Sequence, residues 1–451
     1  MEPREDLLQL RERILQEDWS ALPAQFEPLY VQDIAEAMQG LEPTQMLRAF
    51  EELPRERWPA VFAYIEPIEA QYPLLQQMDV DDGRYVLQSL PPDDRTALLE
   101  SLPQDDVEQL FKLLTPEAVK QALNQLGYPE DSAGRLMNTQ YVTVRPEWSL
   151  ARALEHVRAS ADQGEGVNTL YVTDKSGRLL GAVSLKRLVL GAPKARVESL
   201  ISGPAVSILA SLDQEEAARM IQRYDITSLP VVDRNGVLLG VITVDDIMDV
   251  LEEESTEDFH KIGGVGALDI SLREARPSLL YRKRVGWLVL LVFMNIFGGG
   301  AIAYFEATIE AVIALVFFLP LIVDSGGNAG AQSSTLMVRA LATGDVRPRD
   351  WLRLWGKELG VAIALGVTMG IAVWGLGLWR GGADVGTVVA LSMVLVVVFG
   401  SMIGMVLPFA LTRFGFDPAT ASAPLITSIA DIGGILIYFS IATAILIVPA
   451  G

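Results

Sequence analysis

The chain has no cysteine and only two histidines, His156 and His260. Without cysteine there is no disulfide, thiolate zinc site, iron–sulfur cluster or thiol nucleophile. Both histidines precede the apolar C-terminal part, which disfavours an intramembrane zinc protease because that enzyme needs an HExxH motif within a span. The first residues, MEPREDLLQL, lack a basic stretch followed by an apolar core, so no signal peptide is expected.

Charged residues are scarce in the C-terminal part. Residues 284–451 contain 9 acidic and 8 basic side chains, whereas residues 1–283 contain 48 acidic and 28 basic ones. We therefore predict an acidic, soluble N-terminal part followed by a membrane domain. The net charge of −20 on the first part repels phosphates, so nucleic acid is not an expected partner.

Five apolar stretches are long enough to cross a hydrocarbon core, which takes roughly 20 helical residues. They cover residues 285–303, 309–336, 359–378, 385–411 and 423–448, and Pro320 and Pro408 are predicted to interrupt the second and the fourth. Basic residues precede the first stretch, follow the second and follow the fourth. The positive-inside rule therefore predicts five spans, with a cytoplasmic N-terminus and an outer C-terminus.

Polar residues occur at membrane depth in two of these stretches. Asp431 lies in the fifth, with Thr427 and Ser428 about one turn before it and Gly434 after it. A carboxylate at this depth normally faces an ion or a polar cavity, although packing against other helices is the alternative. The second stretch has a polar and glycine-rich patch, which contains Asp324, Ser325, Gly326, Gly327, Asn328, Gly330, Gln332, Ser333, Ser334 and Thr335. This patch either lines a cavity, with its glycines breaking or tightening the helix, or forms a GxxxG-like helix contact.

The N-terminal part contains an internal repeat. Residues 168–184 and 227–243 are identical at seven of seventeen positions, and each reads as strand, turn and strand with an amphipathic helix before it. The repeat resembles a tandem pair of CBS modules, which are regulatory and often bind adenine nucleotides. Asp246 matches the ribose-binding acid of such modules, and Arg187 replaces it in the first repeat.

Two acidic features flank this pair. Before it, Leu-Pro and Thr-Pro breaks about a dozen residues apart predict a small superhelix of short helices, with Asp93 and Asp94 in one first turn. After it, residues 245–258 contain eight acids and no base. Asp246, Asp249, Glu253 and Glu257 share one face of the predicted helix, where hard divalent cations would relieve their repulsion. A solvated charged helix is the alternative.

The order of these elements resembles the MgtE magnesium channels, relatives of the SLC41 carriers. The matching segments are YPEDSAGRLM (128–137), ITVDDIMDVLEEESTEDFHKIGG (242–264), LPLIVDSGGNAGAQSSTL (319–336), VRALATGDV (338–346) and PLITSIADIGGILIYFSIA (424–442). The resemblance implies a multi-domain chain with an all-α N domain (1–132), an α/β tandem CBS pair (133–254), a connecting helix (255–283) and a five-helix membrane domain (284–451). It also implies a homodimer in the inner membrane of a bacterium, in contact with lipid.

The resemblance further implies the residues that bind Mg²⁺. Asp431 matches the pore carboxylate, and Thr427 the position that offers a backbone oxygen beside it. Gly326, Gly327, Asn328, Ser428 and Gly434 are expected to line the pore. The positions that match regulatory Mg²⁺ ligands are Asp93, Asp94, Glu215, Asp225, Asp246, Asp249, Glu254, Glu257, Asp258 and Asp417. ATP is a candidate ligand of the CBS pair, although Arg187 replaces an acid that some relatives use for it.

The implied function is Mg²⁺ uptake that internal Mg²⁺ shuts off, without enzymatic activity. Transport of a broader set of divalent ions such as Mn²⁺ or Co²⁺ is an alternative, although selective sites for them usually contain imidazole or thiolate. A CBS-regulated anion channel is a further alternative, which Asp431 disfavours because it would repel anions.

Overall fold

The structure is a computed structural model that describes residues 5–160, 168–266, 268, 272, 275–346 and 348–446. The chain divides into two compact units, Met1–Glu252 and Glu253–Gly451. The first contains a helical N domain and the CBS pair, and the second contains the apolar helices.

The N domain is a succession of short helices, as predicted. They are α1 (Glu5–Leu15), α2 (Leu22–Phe26), α3 (Val31–Met38), α4 (Pro43–Glu51), α5 (Trp58–Ala63), α6 (Gln71–Gln77), α7 (Val80–Ser89), α8 (Pro92–Glu100), α9 (Gln104–Phe111) and α10 (Pro116–Leu126). Proline begins α4, α8 and α10 because its missing N–H costs nothing in the first turn. The Thr115 side chain accepts a hydrogen bond from the Ala118 N–H and caps α10.

The CBS pair consists of two similar α/β modules, each with a three-stranded sheet. The first contains β1 (Thr143–Val144), α12 (Leu150–Ser160), β2 (Thr169–Thr173), β3 (Leu179–Ser184) and α13 (Leu185–Leu190), and α11 (Ala133–Leu136) precedes it. The second contains β4 (Ile208–Leu209), α14 (Gln214–Tyr224), β5 (Ser228–Val232), β6 (Leu238–Thr243) and α15 (Val244–Ile262). In each sheet the first strand is parallel to the second, and the third is antiparallel to it. This equal topology agrees with the sequence repeat.

The apolar part consists of long helices. They are α16 (Pro277–Tyr304), the short α17 (Glu306–Ala311), α18 (Ala314–Ala342), α19 (Trp351–Arg413) and α20 (Ala423–Ile445). Within the described residues, α16, α18, α19 and α20 are long and apolar enough to cross a membrane.

Helix α19 is a hairpin of two arms. Gly382 alone leaves the helical φ/ψ region, with a φ of 82°, and the residues on either side of it pack against each other. A Cβ atom at Gly370 would lie 2.9 Å from the Ala390 carbonyl oxygen, and one at Gly366 would lie 2.9 Å from the Val394 carbonyl oxygen. The arms, residues 351–381 and 383–413, therefore run antiparallel.

Close glycine contacts join α18 to the second arm of α19. A Cβ atom at Gly330 would lie 2.8 Å from the Gly400 carbonyl oxygen, and Cβ atoms at Gly400 and Gly404 would overlap the carbonyl oxygens of Gly326 and Gly330. Each helix thus presents two glycines four residues apart. This is the small-residue contact that lets membrane helices approach closely, so the predicted GxxxG-like packing of the patch is confirmed for this pair.

Two expectations about helix continuity are wrong, whereas the glycines follow the second of their two expected outcomes, tightening. Helices α18 and α19 continue through Pro320 and Pro408, since neighbouring helices in a bundle can satisfy the freed backbone groups. The glycines of the patch tighten helix packing without breaking α18. The second apolar stretch is not one helix from residue 309, because Val312 has non-helical dihedral angles between α17 and α18.

The predicted connecting helix over 255–283 is also not a single helix. Helix α15 runs from the end of β6 to Ile262, a turn at Gly263 and Gly264 follows, and α16 begins at Pro277. Gly264 has a φ of 68°, which favours glycine and ends the helix. The first part of the connection is therefore the end of α15 and a glycine turn, and residues 267, 269–271, 273 and 274 of the predicted helix lie outside the described residues.

Candidate functional site

Asp431 lies where α18 packs against α20. It belongs to α20, one turn after Thr427, and Gly327 of α18 faces both of them. A Cβ atom at Gly327 would lie 2.8 Å from Thr427 Cγ2 and 3.5 Å from Asp431 Oδ1. Within the described residues, Asp431 Oδ1 is buried and has no hydrogen-bond partner. The glycine thus leaves room beside a carboxylate oxygen that is ready to accept a ligand.

A second carboxylate lies one turn from Gly327 on α18. Asn328 Nδ2 donates to Asp324 Oδ2 over 2.9 Å, and both side chains are exposed on the surface of the single chain. In the sequence, Asp324 is distinguished only as a member of the polar patch. Its spacing of three residues from Gly327 is the signal that could have placed it near Asp431.

The other residues expected to line the pore lie in different surroundings. The Thr427 and Ser428 hydroxyls donate to the carbonyl oxygens one turn earlier, over 2.8 and 3.0 Å. Gly326 and Gly434 both face Val396 of α19, with hypothetical Cβ atoms 2.5 and 3.3 Å from its Cγ1. In the single chain, Gly326 and Gly434 therefore belong to helix packing, whereas Gly327 and Asn328 accompany the carboxylates.

Three of the predicted sensor acids meet around one lysine in the second unit. Lys261 Nζ, near the end of α15, lies 2.6 Å from Asp417 Oδ2 and 2.8 Å from Glu257 Oε2. Burial, followed by the charge of Asp417, raises the pKa of the Asp258 carboxyl to about 6. Burial opposes the charged form of Lys261, yet hydrogen bonds to Asp417 and Glu257 raise its pKa overall. The predicted divalent-cation ligands thus surround a protein cation.

Glu254 is half-buried one turn before Asp258 on α15, and its negative charge contributes to the raised pKa of Asp258. The acidic face predicted from the spacing is therefore present on a continuous helix.

Asp246 and Asp249 lie on the first turns of α15, in the first unit. The Thr243 backbone N–H and hydroxyl donate to Asp246 Oδ2 over 3.1 and 2.6 Å, which anchors the acid at the helix start. Burial raises the pKa of Asp246 despite these bonds. Burial and the charges of Glu252 and Asp245 raise the pKa of Asp249. Burial is the larger cause of both shifts, and the charges of neighbouring carboxylates add to it.

The helical domain brings Asp93 to the second CBS module. Asn138 Nδ2 donates to Asp93 Oδ1 over 3.2 Å, and the Asn138 backbone pairs with Val241 of β6. Asp94 follows in the first turn of α8. Glu215 forms an ion pair with Arg219 on α14. The structure therefore places Asp93 beside the strand that leads to Asp246, and Glu215 on a separate helix.

Asp225 lies in a cleft between the two CBS modules. The cleft has a volume of about 260 Å³, and Tyr171, Asp225, Thr227 and Ser228 are among its lining residues. Asp225 ends α14 with a φ of 50°, a left-handed conformation. Arg187 is at the start of α13, where its guanidinium donates to Ser202 Oγ over 2.6 Å. The cleft offers an acid, hydroxyls and an aromatic ring to a polar ligand.

Carboxylate oxygens are the ligands that Mg²⁺ prefers, and it keeps several waters when it binds. The described residues of one chain contain no group of three or more His, Cys, Asp or Glu that could hold a metal ion. One or two carboxylates at each position still suit a largely hydrated ion. The donor chemistry fits Mg²⁺, with water or a second set of protein ligands completing the shell.

Three family models match separate parts of the chain. A model described as a divalent cation transporter, MgtE, matches residues 319–441. The MgtE intracellular N domain matches residues 29–131, and the CBS domain matches residues 133–191 and 197–253.

Proteins of known function match most of the chain. It is 43% identical to a magnesium transporter MgtE of Thermus thermophilus over 71% of each chain. It is 39% identical to a magnesium transporter MgtE of Bacillus subtilis over 71% of this chain and 70% of that one. A crystal structure of the soluble part of a magnesium transporter matches with a TM-score of 0.51 and 25% identity, and covers 56% of this chain and 98% of its own.

Proposed function

Because this chain belongs to the MgtE family, we infer that it is a magnesium transporter whose cargo passes the apolar bundle at Asp431. The family is not a class of enzymes. The apolar helices make the chain a membrane protein. The observation that carries the site is the buried Asp431 Oδ1, which no described residue contacts by a hydrogen bond and which faces a glycine.

We propose five spans, formed by α16, α18, the two arms of α19, and α20. Each arm of α19 has about 30 residues, enough to cross a hydrocarbon core of about 30 Å at a rise of 1.5 Å per residue. The antiparallel packing of the arms supports this assignment. Basic residues at the start of α16 and after α18 favour a cytoplasmic position for those ends, which puts the N-terminus inside and the C-terminus outside in this proposal. A bacterial inner membrane suits this orientation.

We further propose that two copies form the path. A hydrated Mg²⁺ held by one carboxylate of each copy loses few waters, which suits its reluctance to dehydrate. The Thr427 backbone carbonyl, one turn before Asp431 on α20, is the neighbouring oxygen in this arrangement. Gly327 keeps the place beside the carboxylate open, because a side chain there would contact Asp431.

Internal Mg²⁺ regulates the path in this proposal. Its ligands are five acids of α15 and five acids elsewhere: Asp246, Asp249, Glu254, Glu257 and Asp258, with Asp93, Asp94, Glu215, Asp225 and Asp417. Without Mg²⁺, these acids repel one another, and Lys261 neutralises only those around it. Mg²⁺ that binds between acidic surfaces favours the state in which they are close, and it shifts the equilibrium by its difference in affinity for the two states. ATP binding in the cleft at Asp225 stays a prediction.

Uptake into proteoliposomes tests the path. We expect the native chain to take up Mg²⁺ and Asp431→Ala to lose this uptake, because the path then lacks its carboxylate. Asp384→Ala, which removes an exposed acid beside the turn of α19, is the matched control and should transport normally. Equal uptake by the native chain and Asp431→Ala would remove Asp431 from the mechanism.

The regulation is tested with Mg²⁺ enclosed on the cytoplasmic side. Asp417→Asn should raise the internal Mg²⁺ concentration that halves uptake, because a charged carboxylate ligand becomes a neutral amide. Asp105→Asn, at an exposed acid of α9, is the control and should leave that concentration unchanged. An unchanged value for Asp417→Asn would contradict a regulatory role for this cluster.

A further inference from the structure

One face of α18 is uncovered in the single chain and changes from apolar to polar along its length. Phe317 and Leu321 are 58% and 40% exposed at its first turns. Asp324, Asn328 and Thr335 continue the same stripe and are also exposed. The spacing of four, three, four and seven residues keeps all five on one side of the helix.

Lipid can cover only part of this stripe. Phenylalanine and leucine are stable against acyl chains, but a charged aspartate at the helix centre costs roughly 2.5–3.5 kcal/mol on insertion scales. Asp324 is the eleventh residue of a 29-residue apolar helix, so it does not reach a bilayer surface. Asn328 occupies one of its oxygens but brings no positive charge. The polar half of the stripe therefore faces water or another protein chain.

Asp324 lies close to the candidate ion site at Asp431. Gly327 contacts the Thr427 and Asp431 side chains, and Asp324 precedes Gly327 by one turn. At a rise of 1.5 Å per residue, Asp324 lies about 4.5 Å from that contact along the axis of α18. In the proposed orientation, the first turns of α18 are outermost, so Asp324 lies on the outer side of Asp431.

We propose that Asp324 is a second cation-binding carboxylate of the transport path, which receives the hydrated ion from outside before Asp431 does. This inference rests on the proposed function. Asn328 positions the carboxylate by its hydrogen bond and leaves Asp324 Oδ1 for the ion's water shell. Two successive anionic positions attract a divalent ion and let a following ion displace the first, which is the condition for conduction through a selective path.

Uptake measured against external Mg²⁺ concentration tests this role. A unit charge about 6 Å from a divalent ion in a water-filled path changes its binding roughly tenfold. Asp324→Asn should therefore raise the concentration for half-maximal uptake about tenfold, with a smaller change in the maximal rate. Asp324→Glu should restore most of the native value. Asp384→Asn makes the same chemical change outside the path and should stay within about twofold of the native protein.

The outcomes separate this inference from the transport function. Native uptake that Asp431→Ala abolishes, combined with a native half-saturation value for Asp324→Asn, would overturn the role of Asp324 and leave the function intact. Loss of uptake in the native chain would instead contradict the function. Asp324→Ser, checked like the others by size-exclusion elution, provides a second neutral variant if the asparagine variant does not fold. A lowered maximal rate with an unchanged half-saturation value in both variants would also overturn the proposal.

Discussion

Substitution of Gly330 by alanine tests whether the glycine contacts hold the membrane helices together. The new Cβ atom would lie 2.8 Å from the Gly400 carbonyl oxygen and 2.8 Å from Ile426 Cγ2. Carbon–oxygen contacts between helices are about 3.3–3.6 Å. The backbone of α18 must therefore move away from α19 by about half an ångström or more, because the obstructing oxygen belongs to the backbone and cannot rotate away.

The size of the effect follows from two opposing contributions. Overpacking in a close-packed core costs typically about 1–3 kcal/mol. Replacing glycine by alanine inside a helix stabilises the helix by up to about 1 kcal/mol, because alanine has the higher helix propensity. Gly360→Ala isolates the second contribution, since Gly360 is helical and a Cβ atom there would meet no atom within 4 Å. The difference between the two variants is then the overpacking cost itself, about 1–3 kcal/mol.

Thermal unfolding of the full-length protein in detergent measures this difference. For a domain of this size, 1 kcal/mol corresponds to about 2–4 °C, so Gly330→Ala should unfold roughly 2–12 °C below Gly360→Ala. Size-exclusion elution after stepwise heating gives the midpoint. Equal midpoints for the two alanine variants would refute the reasoning, because the helices would then separate at no cost. Gly327→Ala should instead impair uptake more than stability, since it meets the movable Thr427 methyl group.

Three further results are expected. Lys261→Gln should lower the internal Mg²⁺ concentration that halves uptake by about fivefold, because Lys261 no longer competes with Mg²⁺ for Asp417 and Glu257 through its two partly exposed ion pairs. Lys186→Gln is the control in the same flux assay. An unchanged concentration for Lys261→Gln would exclude this competition. The pKa of Asp258 is raised from 3.8 to about 6 in the folded chain, so protonation of Asp258 stabilises the fold below pH 4 and this contribution is lost as the pH rises through 6. The unfolding midpoint of Asp258→Asn should therefore fall less between pH 4 and 7 than that of the native protein. An equal fall in both proteins would assign the pH dependence to other groups. Tyr171→Phe removes the 2.7 Å hydrogen bond to the buried Ser228 hydroxyl and should destabilise the first unit by about 1 kcal/mol, measured by chemical denaturation. An unchanged denaturation midpoint would mean that the Ser228 hydroxyl forms a hydrogen bond with another partner.

Local sequence signals predicted the architecture of the N domain and the CBS pair well. The turns at Asp174 and Asp233 show why: each carboxylate accepts backbone N–H groups within its own turn. Gly177 and Gly236 then adopt φ angles of 83° and 79°. Such interactions involve only neighbouring residues, so a four-residue pattern determines them. The same holds for the helices that begin at proline.

Interactions between distant segments could not be predicted in this way. The prediction that Pro320 interrupts a helix considers only the backbone hydrogen bond that proline removes from its own helix. In a membrane, packing against neighbouring helices decides whether the helix continues. The glycine patch makes contacts on two faces of α18: Gly330 packs against α19, and Gly327 faces Asp431. The sequence spacing predicts which residues share a face of α18, but not which helix that face contacts. Lys261 was likewise overlooked, since its partner Asp417 is 156 residues away.

The single-residue turn of α19 has a consequence for how the protein enters the membrane. Only Gly382 separates the two arms, and Arg380 and Asp384 beside it carry opposite charges. On the proposed topology, almost no hydrophilic chain has to be translocated between the third and fourth spans. The two arms can thus leave the insertion machinery as one apolar hairpin whose charges nearly cancel at its tip. On this topology, insertion of this part would depend on its hydrophobicity, and the basic residues before Trp351 and at Arg413 would keep both ends on the side of synthesis.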